Sequence, residues 1–336
     1  MEKYKIAIIG GGLIAETAHI PGILKNQNVE IVVIVEQNSD RGNLLIEKFK
    51  LNIPVVSSIS EYSGKIDAAV ICTPNSFHYS NTMNCLALGI HVLVEKPISN
   101  TAKEGQEMME LADSKALVLM VGYCTRFWES IQKMRTIIKS NVLGDVKRFV
   151  FQYGAAGGWA PVSNYIMNKE KAGGGALVIN GSHYLDRIIW FFNLPDSIEY
   201  YDDAKGGLEG NSELHFNYRE KSIKGILKVS KTVYLEPGCV IECEKGTLIH
   251  KDWTAPYLKV DLNSAENDVQ IPLELSNNKD IIEREDMYEL QFNEFISKIK
   301  APGFKALSNA EEALSTTLLM EKAYLNKKEL NCNWYN

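Results

Sequence analysis

Two glycines and an alanine near the amino terminus stand at the spacing of a phosphate-binding loop. Gly10, Gly12 and Ala15 lie between an apolar, strand-like run and a stretch with helical periodicity. Gly10 permits a tight turn, Gly12 lets the backbone approach a phosphate, and Ala15 allows the helix to pack closely on its strand. A helix that begins near Leu13 and Ile14 offers free N–H groups and partial positive charge to an anion. These residues therefore predict binding of the pyrophosphate of a dinucleotide.

An acidic residue, Glu36, ends the next apolar run, Ile31–Val35. A carboxylate at this place accepts hydrogen bonds from the adenosine ribose hydroxyls and repels a 2′-phosphate. The sequence therefore predicts NAD as the cofactor and favours it over NADP. Arg41, on the following helix, is interpreted as a surface charge. It is the residue that would contact a 2′-phosphate if the prediction of NAD failed.

A polar segment follows the apolar run Asp67–Cys72. Open α/β sheets bind their ligands at the carboxyl ends of the parallel strands, so we expect this segment to border the cofactor. The histidine in it is expected to fix the loop or to line the cofactor cleft. The candidate cofactor-binding residues of the segment are Thr73, Pro74, Asn75 and His78.

The triplet Glu95-Lys96-Pro97 follows the next apolar run, Ile90–Val94. A proline disfavours helical geometry in the residue before it, so Pro97 is expected to keep Lys96 extended at the carboxyl end of the strand. We therefore expect Glu95 and Lys96 to lie at the same sheet edge as the glycine loop.

A later segment begins with three glycines and continues with helical periodicity. It contains His183, a side chain that can carry a proton near neutral pH. Asn180 and Asp186 stand three residues away on either side and share the face of His183. This polar stripe is typical of a helix that lines a site. In the preceding loop, Trp159 and Tyr165 could line a substrate pocket or could be ordinary packing residues.

Strands and helices alternate over residues 1–124, and the strands are continuous apolar runs. This pattern predicts a parallel sheet covered on both faces, wound as a Rossmann domain. After a helix at Glu129–Lys139 the chain contains several alternating strands joined by short turns. Residues 125–336 are therefore predicted to form an α+β domain with a large, mainly antiparallel sheet. Two closing helices, near 282–299 and 309–325, could pack back on the first domain.

Composition narrows the class of protein. The chain has 336 residues, of which 45% are apolar, and a formal net charge of −6. It can bury a large core without a metal or a disulfide, and its charge argues against nucleic acid or an anionic membrane as the main partner. Its six scattered cysteines predict reduced thiols and no zinc site. No apolar stretch reaches the length of a membrane span and no signal-peptide pattern is present, so we expect a cytoplasmic protein.

Taken together, these motifs resemble the glucose–fructose oxidoreductase/inositol dehydrogenase (Gfo/Idh/MocA) family over nearly the whole chain. The resemblance implies that Lys96 lies beside the nicotinamide and the reacting carbinol. It also implies that His183 is the acid/base on the substrate hydroxyl and that Arg126 borders the cofactor. The matching motifs are Gly10-x-Gly12-x-x-Ala15 with His19 and Pro21, Thr73-Pro74-Asn75-x-x-His78, Glu95-Lys96-Pro97, Arg126-Phe127, Gly173–Leu177 and Gly181-x-His183-x-x-Asp186.

The function that this resemblance implies is NAD-dependent hydride transfer. The hydride would pass between the nicotinamide and a carbinol or keto carbon of a sugar, a sugar derivative or a cyclitol. Oxidation of a carbinol releases the O–H proton, so a base must lie within hydrogen-bond reach of that oxygen. The resemblance also implies a homodimer or homotetramer, and the sheet of the second domain is the expected contact surface.

One position departs from the family's pattern. Members commonly carry an aspartate four residues before the histidine, and here that position is Ile179. The adjacent Asn180 cannot carry a negative charge. Two alternatives therefore remain open: a non-catalytic regulator that senses NAD and a sugar, and a glycosidase that uses NAD in redox-neutral cleavage. Retention of Lys96 and His183 argues against the regulator, and no residue positively selects the glycosidase.

Overall fold

The structure, a computed structural model, describes residues 3–157, 164–252, 258–262 and 284–331. The chain divides into two compact units. The first contains the described parts of Met1–Phe127, Pro161–Tyr165 and Glu283–Thr317. The second contains the described parts of Trp128–Ala160, Ile166–Ile282 and Leu318–Asn336.

The elements follow one another in the order that the apolar runs suggest. The described strands are β1 (Tyr4–Ile9), β2 (Val29–Val35), β3 (Val55–Val56), β4 (Ala68–Ile71), β5 (His91–Val94), β6 (Leu119–Val121), β7 (Val146–Gly154), β8 (Ser197–Asp202), β9 (Asn211–Tyr218), β10 (Ile223–Ser230), β11 (Leu235–Cys243), β12 (Gly246–Lys251), β13 (Leu258–Leu262) and β14 (Lys327–Glu329). The described α-helices are α1 (Ile20–Leu24), α2 (Ser39–Phe49), α3 (His78–Ala87), α4 (Ala102–Ser114), α5 (Glu129–Ser140), α6 (Lys169–Ala172), α7 (Ser182–Phe192), α8 (Arg284–Lys300) and α9 (Ala310–Leu325).

The first unit is built on a parallel sheet of six strands in the order β3-β2-β1-β4-β5-β6. This is the strand order of a doubly wound, dinucleotide-binding sheet, in which β1 and β4 flank the point where the winding reverses. Its central strand β4, Ala68–Ile71, is apolar at every position and completely buried, as expected where helices cover both faces of a sheet. The prediction of a doubly wound Rossmann domain is confirmed.

Local capping fixes where the helices of this unit begin. Asn38 precedes α2, and its side chain accepts the backbone N–H groups of Asp40 and Arg41. Thr101 and Glu104 form a reciprocal capping box at the start of α4. Both are polar N-caps of the kind that satisfies free N–H groups in the first turn.

The second unit contains a sheet of eight strands in the order β13-β12-β11-β7-β10-β9-β8-β14. Strands β7 and β10 pair in parallel, as do β8 and β14, and the other described pairs are antiparallel. The expectation of a mainly antiparallel sheet is confirmed. One face of the sheet packs on α7, where the Phe149 ring stacks on Phe192 at a centroid distance of 4.6 Å. Gly225 of the neighbouring strand provides the space that the Phe149 ring occupies.

Two helices begin with a π-helical turn, where the sequence predicts regular α-helix. These turns are Ala15–His19, before α1, and Leu177–Gly181, before α7. A π-turn accommodates one extra residue by forming i→i+5 hydrogen bonds, and such turns are frequent at functional sites. Each of the two turns here belongs to a segment that carries predicted site residues.

Candidate functional site

The loop between β1 and the first helix has two glycines that are required for different reasons. Gly10 has φ +94°, and a Cβ there would lie 2.9 Å from the carbonyl carbon of Cys72 and from the nitrogen of Thr73. A side chain is therefore excluded by the neighbouring strand β4. At Gly12 a Cβ would meet only the Cys72 carbonyl oxygen, at the ordinary contact distance of 3.7 Å. The space beside Gly12 is therefore open.

The rest of this loop fits a pyrophosphate. Gly12, Leu13 and Ile14 are half-exposed, whereas Ala15 is fully buried against the sheet. The loop thus presents backbone without side-chain bulk at the start of a helix, where free N–H groups point outward. A Cβ at Gly12 would lie in the open space beside the loop, where the sequence predicts the phosphate.

Glu36 lies against this loop at the end of β2. Its carboxylate accepts the backbone N–H of Gly11 at 2.6 Å and that of Asn38 at 2.9 Å, one on each oxygen. A carboxylate has about four acceptor directions, so each oxygen can accept a further hydrogen bond. The side chain is half-exposed and can therefore receive a ribose hydroxyl.

Arg41 does not behave as the surface charge that the sequence suggests, and that interpretation is wrong. Only 18% of its side chain is exposed. Its Nε donates to the carbonyl oxygen of Gly11, and its guanidinium pairs with Glu16. Glu16 also accepts a hydrogen bond from Lys48 at 2.7 Å. The capping of α2 by Asn38 places Arg41 in the first turn, beside the glycine loop.

A buried histidine fixes the conformation of the segment after β4. Asn75 and His78 are buried, and Thr73 and Pro74 are half-exposed. The His78 ring nitrogens lie 2.7 Å from the carbonyl oxygen of Pro97 and 3.0 Å from that of Thr73. Burial lowers the pKa of His78, although both carbonyls act in the opposite direction. His78 therefore ties the loop after β4 to the loop after β5.

Glu95 holds the loop that carries Lys96. Its buried carboxylate lies 2.8 Å from Nε2 of His19 and accepts the backbone N–H of Lys96 at 3.1 Å. Burial acts to raise the pKa of Glu95, but the His19 hydrogen bond and the charges of His19 and Lys96 outweigh it, and the pKa is lowered. Lys96 itself is half-exposed at the carboxyl end of β5, and its bond to Pro97 is cis.

The remaining predicted residues of the first unit differ in accessibility. Tyr165 is half-buried, and both burial and the nearby charge of Glu95 raise its pKa. It therefore lies near the Glu95–Lys96 loop. Arg126 is buried and donates to the carbonyl oxygen of Leu307 at 2.7 Å. It also pairs with Glu312. Trp159 lies outside the described residues.

In the second unit the three glycines make room for a helix cap. A Cβ at Gly174 would collide with the hydroxyl of Tyr324, and one at Gly175 would collide with the backbone of Glu209. The Glu209 carboxylate accepts the backbone N–H groups of Gly175 and Leu177, each at 3.0 Å. It also accepts the Tyr324 hydroxyl at 2.7 Å. Burial raises the pKa of Glu209, and these hydrogen bonds partly offset the rise.

The helix that Glu209 caps has one accessible face. Between Gly174 and Phe192 the described side chains that are not buried belong to Ile179, Asn180 and His183. Oδ1 of Asn180 is shielded from solvent and accepts no hydrogen bond from the described residues. The predicted pair of Asn180 and His183 therefore does share a face, and Ile179 adds an apolar surface to it. Asp186, in contrast, is completely buried.

A buried ionic network lies on the other side of the same helix. Asp252 accepts hydrogen bonds from Arg187 at 2.8 Å and from the Tyr184 hydroxyl at 2.6 Å. Its third neighbour is His250 Nδ1, at 3.0 Å. Burial acts to raise the pKa of Asp252, but the Arg187 charge and these hydrogen bonds hold it well below its ordinary value. The network fixes α7 on the sheet and so sets the direction of its accessible face.

Other classes of site have no counterpart in the described part of the chain. Among the described residues there is no group of three or more His, Cys, Asp or Glu side chains that could hold a metal ion. No helix within the same ranges is long and apolar enough to cross a membrane.

Comparison with known proteins identifies the family. A family model described as an oxidoreductase family with an NAD-binding Rossmann fold matches residues 4–123. The model of the C-terminal domain of the same Gfo/Idh/MocA group matches residues 131–249. The chain belongs to the Gfo/Idh/MocA oxidoreductase family. The resemblance drawn from the motifs is thereby confirmed.

The Gfo/Idh/MocA relatives named here act on sugars and cyclitols. The D-glucoside 3-dehydrogenase of Escherichia coli is 29% identical over 57% of this chain and 54% of its own length. The scyllo-inositol 2-dehydrogenase (NADP⁺) IolW of Bacillus subtilis is 27% identical over 59% of this chain and 54% of its own length. The chain thus spans about half the length of these curated relatives.

Solved structures extend the likeness of fold to the full length of the chain. A levoglucosan dehydrogenase in complex with NADH and levoglucosan superposes with a TM-score of 0.83. It is 16% identical, and the superposition covers 97% of each chain. At this identity the likeness is one of fold.

Sequence reasoning missed Glu209 and Asp252, which position the Gfo/Idh/MocA motifs, and it missed the pairing of His19 with Glu95. Glu209 is 34 residues from Gly175 along the chain, and His19 is 76 residues from Glu95. Asp252 is 65 residues from Arg187. Periodicity relates residues only within one element, so it carries no signal for such pairs. The one available hint was the triple glycine, whose lack of side chains indicates a close approach by another part of the chain.

Proposed function

We propose that this protein is an NAD-dependent oxidoreductase that transfers a hydride between a nicotinamide and a carbinol or keto carbon of a sugar, sugar derivative or cyclitol. The observation that carries the proposal is the position of Lys96. It stands at the carboxyl end of β5, held by Glu95, on the same sheet edge as a glycine loop that fits a pyrophosphate. The bound nicotinamide would accept or supply the hydride.

The residues around the glycine loop support NAD as the cofactor. Glu36 is half-exposed and its oxygens can each accept another hydrogen bond, which suits the two ribose hydroxyls of NAD. Its negative charge would repel the 2′-phosphate of NADP. The family contains both kinds of enzyme, since one relative named above is NADP⁺-dependent and a structural neighbour holds NADH. The choice of NAD therefore rests on Glu36.

Two side chains are proposed to handle the proton of the substrate hydroxyl. Lys96 is half-exposed at its strand end, and its ammonium can donate a hydrogen bond to the reacting oxygen. His183 is half-exposed on the open face of its helix and can exchange a proton near neutral pH. We assign the general acid/base role to His183 and the positioning of the oxygen to Lys96. Asn180, on the face of His183, is proposed to bind a substrate hydroxyl.

The relatives favour an enzyme over the alternatives. The two curated relatives named above are dehydrogenases of a glucoside and of an inositol, which are polyhydroxylated rings. This supports a ring polyol or keto sugar as substrate. It favours hydride transfer over a sensing regulator or a redox-neutral glycosidase.

The test is a kinetic comparison with Lys96→Met. Sugars, sugar phosphates and cyclitols are screened with NAD⁺, and keto sugars with NADH, by absorbance of NADH. We expect one of them to be turned over by the wild type. With Lys96→Met we expect kcat to fall by about 10²-fold or more, as for loss of a group that acts on the reacting oxygen. Lys103→Met, an exposed lysine on α4, is the matched control. Equal turnover by Lys96→Met and wild type would remove the catalytic assignment.

We also propose a homodimer or homotetramer that forms through the open face of the eight-stranded sheet. A row of accessible aliphatic side chains crosses four neighbouring strands in register. They are Ile226, Val150, Val240 and Ile249. Charged side chains of both signs flank the row on the same face, and two of the cations are paired with acids, Arg148 with Glu242 and Lys259 with Asp261. The charged residues on that face of these four strands and of β13 are Arg148, Lys224, Lys228, Lys251, Lys259, Glu242 and Asp261.

We propose a cytoplasmic location, and the state of the thiols supports it. The described cysteines are free and buried, which suits the reducing cytoplasm.

A further inference from the structure

A compact ionic cluster joins the glycine loop to helix α2. Glu16, in the first turn after the loop, pairs with the Arg41 guanidinium through one oxygen and with the Lys48 ammonium, at 2.7 Å, through the other. The Glu16 side chain is only 16% exposed. Hydrogen bonds from Lys48 and Arg41 hold the pKa of Glu16 below its ordinary value, so the carboxylate is ionised at neutral pH.

This cluster contacts Gly11, the residue whose backbone N–H donates to Glu36. The N–H of Gly11 donates to Glu36, and the carbonyl oxygen of Gly11 accepts from Nε of Arg41. A Cβ built on Gly11 would lie 3.1 Å from the Glu36 carboxylate and 3.4 Å from Cγ of Arg41. Glu36, which is proposed to bind the ribose, and Arg41, which has the nearest guanidinium, therefore both contact Gly11.

A guanidinium beside the adenosine ribose is the group that ordinarily accommodates a 2′-phosphate. Here Arg41 provides such a guanidinium, since its Nε donates to Gly11, whose N–H in turn donates to Glu36. The guanidinium also pairs with Glu16, so a neighbouring carboxylate offsets its positive charge. Glu36 alone would repel the phosphate, but without Glu16 the charge of Arg41 would attract it.

We propose that Glu16 is a specificity-determining residue for the cofactor. By pairing with Arg41, it offsets the charge that would attract a 2′-phosphate and reinforces the preference for NAD that Glu36 is proposed to set. This inference rests on the proposed function only in requiring that the loop bind a nicotinamide dinucleotide.

A purely structural role of the cluster makes a different prediction. If Glu16 only fastened α2 to the loop, its removal would weaken the binding of NADH and NADPH by the same factor. The specificity role predicts an asymmetric effect, because only NADPH has a 2′-phosphate that the released Arg41 guanidinium can contact. The ratio of the two dissociation constants therefore separates the two roles even if the variant is less stable.

The experiment measures Kd for NADH and for NADPH by titration of cofactor fluorescence at low ionic strength. The proteins are the wild type, Glu16→Gln, the double variant Glu16→Gln with Arg41→Met, and Glu47→Gln. Glu47 is an exposed acid on α2, so its substitution removes the same charge without touching Arg41. Urea unfolding of each variant checks that it is folded.

With Glu16→Gln we expect the ratio Kd(NADPH)/Kd(NADH) to fall by about threefold to tenfold, as for a partly exposed charge pair. The double variant should return the ratio towards that of the wild type, and Glu47→Gln should leave it within about twofold of the wild type. The proposal is overturned if Glu16→Gln and Glu47→Gln have the same ratio, or if the gain survives in the double variant. Normal NADH binding with either of those results would leave the proposed function standing, whereas no binding of either cofactor to the wild type would overturn both.

Discussion

At the scale of single residues, Gly10 and Gly12 have the same identity for opposite reasons. Gly10 is demanded by the fold, because a side chain there would press on the backbone of Cys72 and Thr73 and the φ of +94° disfavours any other residue. Gly12 meets no such obstacle, and the space beside it is open. No contact in the fold requires a glycine at position 12, and we propose that the pyrophosphate of the cofactor approaches the backbone there.

This difference yields a prediction for Gly12→Ala. We expect the free energy of unfolding to change by less than about 1 kcal/mol, because the new methyl group lies in open space. We expect the affinity for NADH to fall by about tenfold or more, because the same methyl group occupies the approach of the pyrophosphate. Urea unfolding and fluorescence titration measure the two quantities.

The matched control is Gly207→Ala, at a loop glycine whose Cβ would have no neighbour within 4 Å. It should change neither stability nor NADH affinity. If Gly12→Ala binds NADH as tightly as this control does, the cofactor does not lie where the loop suggests.

At the scale of elements, the helix that carries Asn180 and His183 depends on groups far away in the sequence. Its first N–H groups are satisfied by Glu209, and its buried side is fixed by Asp252 through Arg187. A helix start that is buried requires such partners, since unpaired backbone donors are costly. The orientation of the proposed substrate face is thus set by two carboxylates that do not touch the substrate.

We therefore predict that Glu209→Ala destabilises the protein by about 2–4 kcal/mol, from two unpaired backbone N–H groups and a buried cavity. Tyr324→Phe removes one donor of the same cluster and should cost about 1 kcal/mol. Under conditions in which Glu209→Ala is folded, we expect lower kcat with NADH affinity retained, because Glu209 positions the His183 helix. Urea unfolding and steady-state kinetics test this. Wild-type stability in Glu209→Ala would contradict the capping role.

Much of the arrangement of elements follows from the sequence, and the reason is local. Apolar runs gave the strands of the Rossmann sheet, and the glycine motif gave the strand-to-helix turn that carries Gly10 and Gly12. The two-residue strand β3 and the exposed strand β14 have too few residues for a periodic signal. The cluster of Glu16 with Arg41 was missed because composition does not say which charges will meet. The sequence suggested a solvated arginine, whereas folding brings a carboxylate to it.

At the scale of the whole molecule, one row of accessible aliphatic side chains has no covering element among the described residues of the second unit. The inner face of the eight-stranded sheet packs on α7, whereas the outer face leaves the aliphatic row around Val240 accessible. Contiguous accessible apolar rows rimmed by charge are typical of protein–protein contacts. A symmetric contact uses the same patch twice, which requires a surface compatible with itself. The ion pairs of Arg148 with Glu242 and of Lys259 with Asp261 lower the repulsion between two copies of this face.

The prediction for this surface concerns Ile226, which forms the β10 end of the row and is in register with Val150. Ile226→Lys places a charge in the contact surface, and this charge must lose its water when two copies meet. In a two-fold contact each copy contributes one such charge, so the cost is paid twice. We expect the wild type to sediment as a dimer or tetramer in analytical ultracentrifugation and Ile226→Lys to sediment as a smaller species at the same concentration. Leu325→Lys makes the same change at an exposed apolar residue of α9 outside the sheet, and it should sediment like the wild type. If Ile226→Lys also sediments like the wild type, the copies meet elsewhere, and a monomeric wild type would exclude self-association through this face.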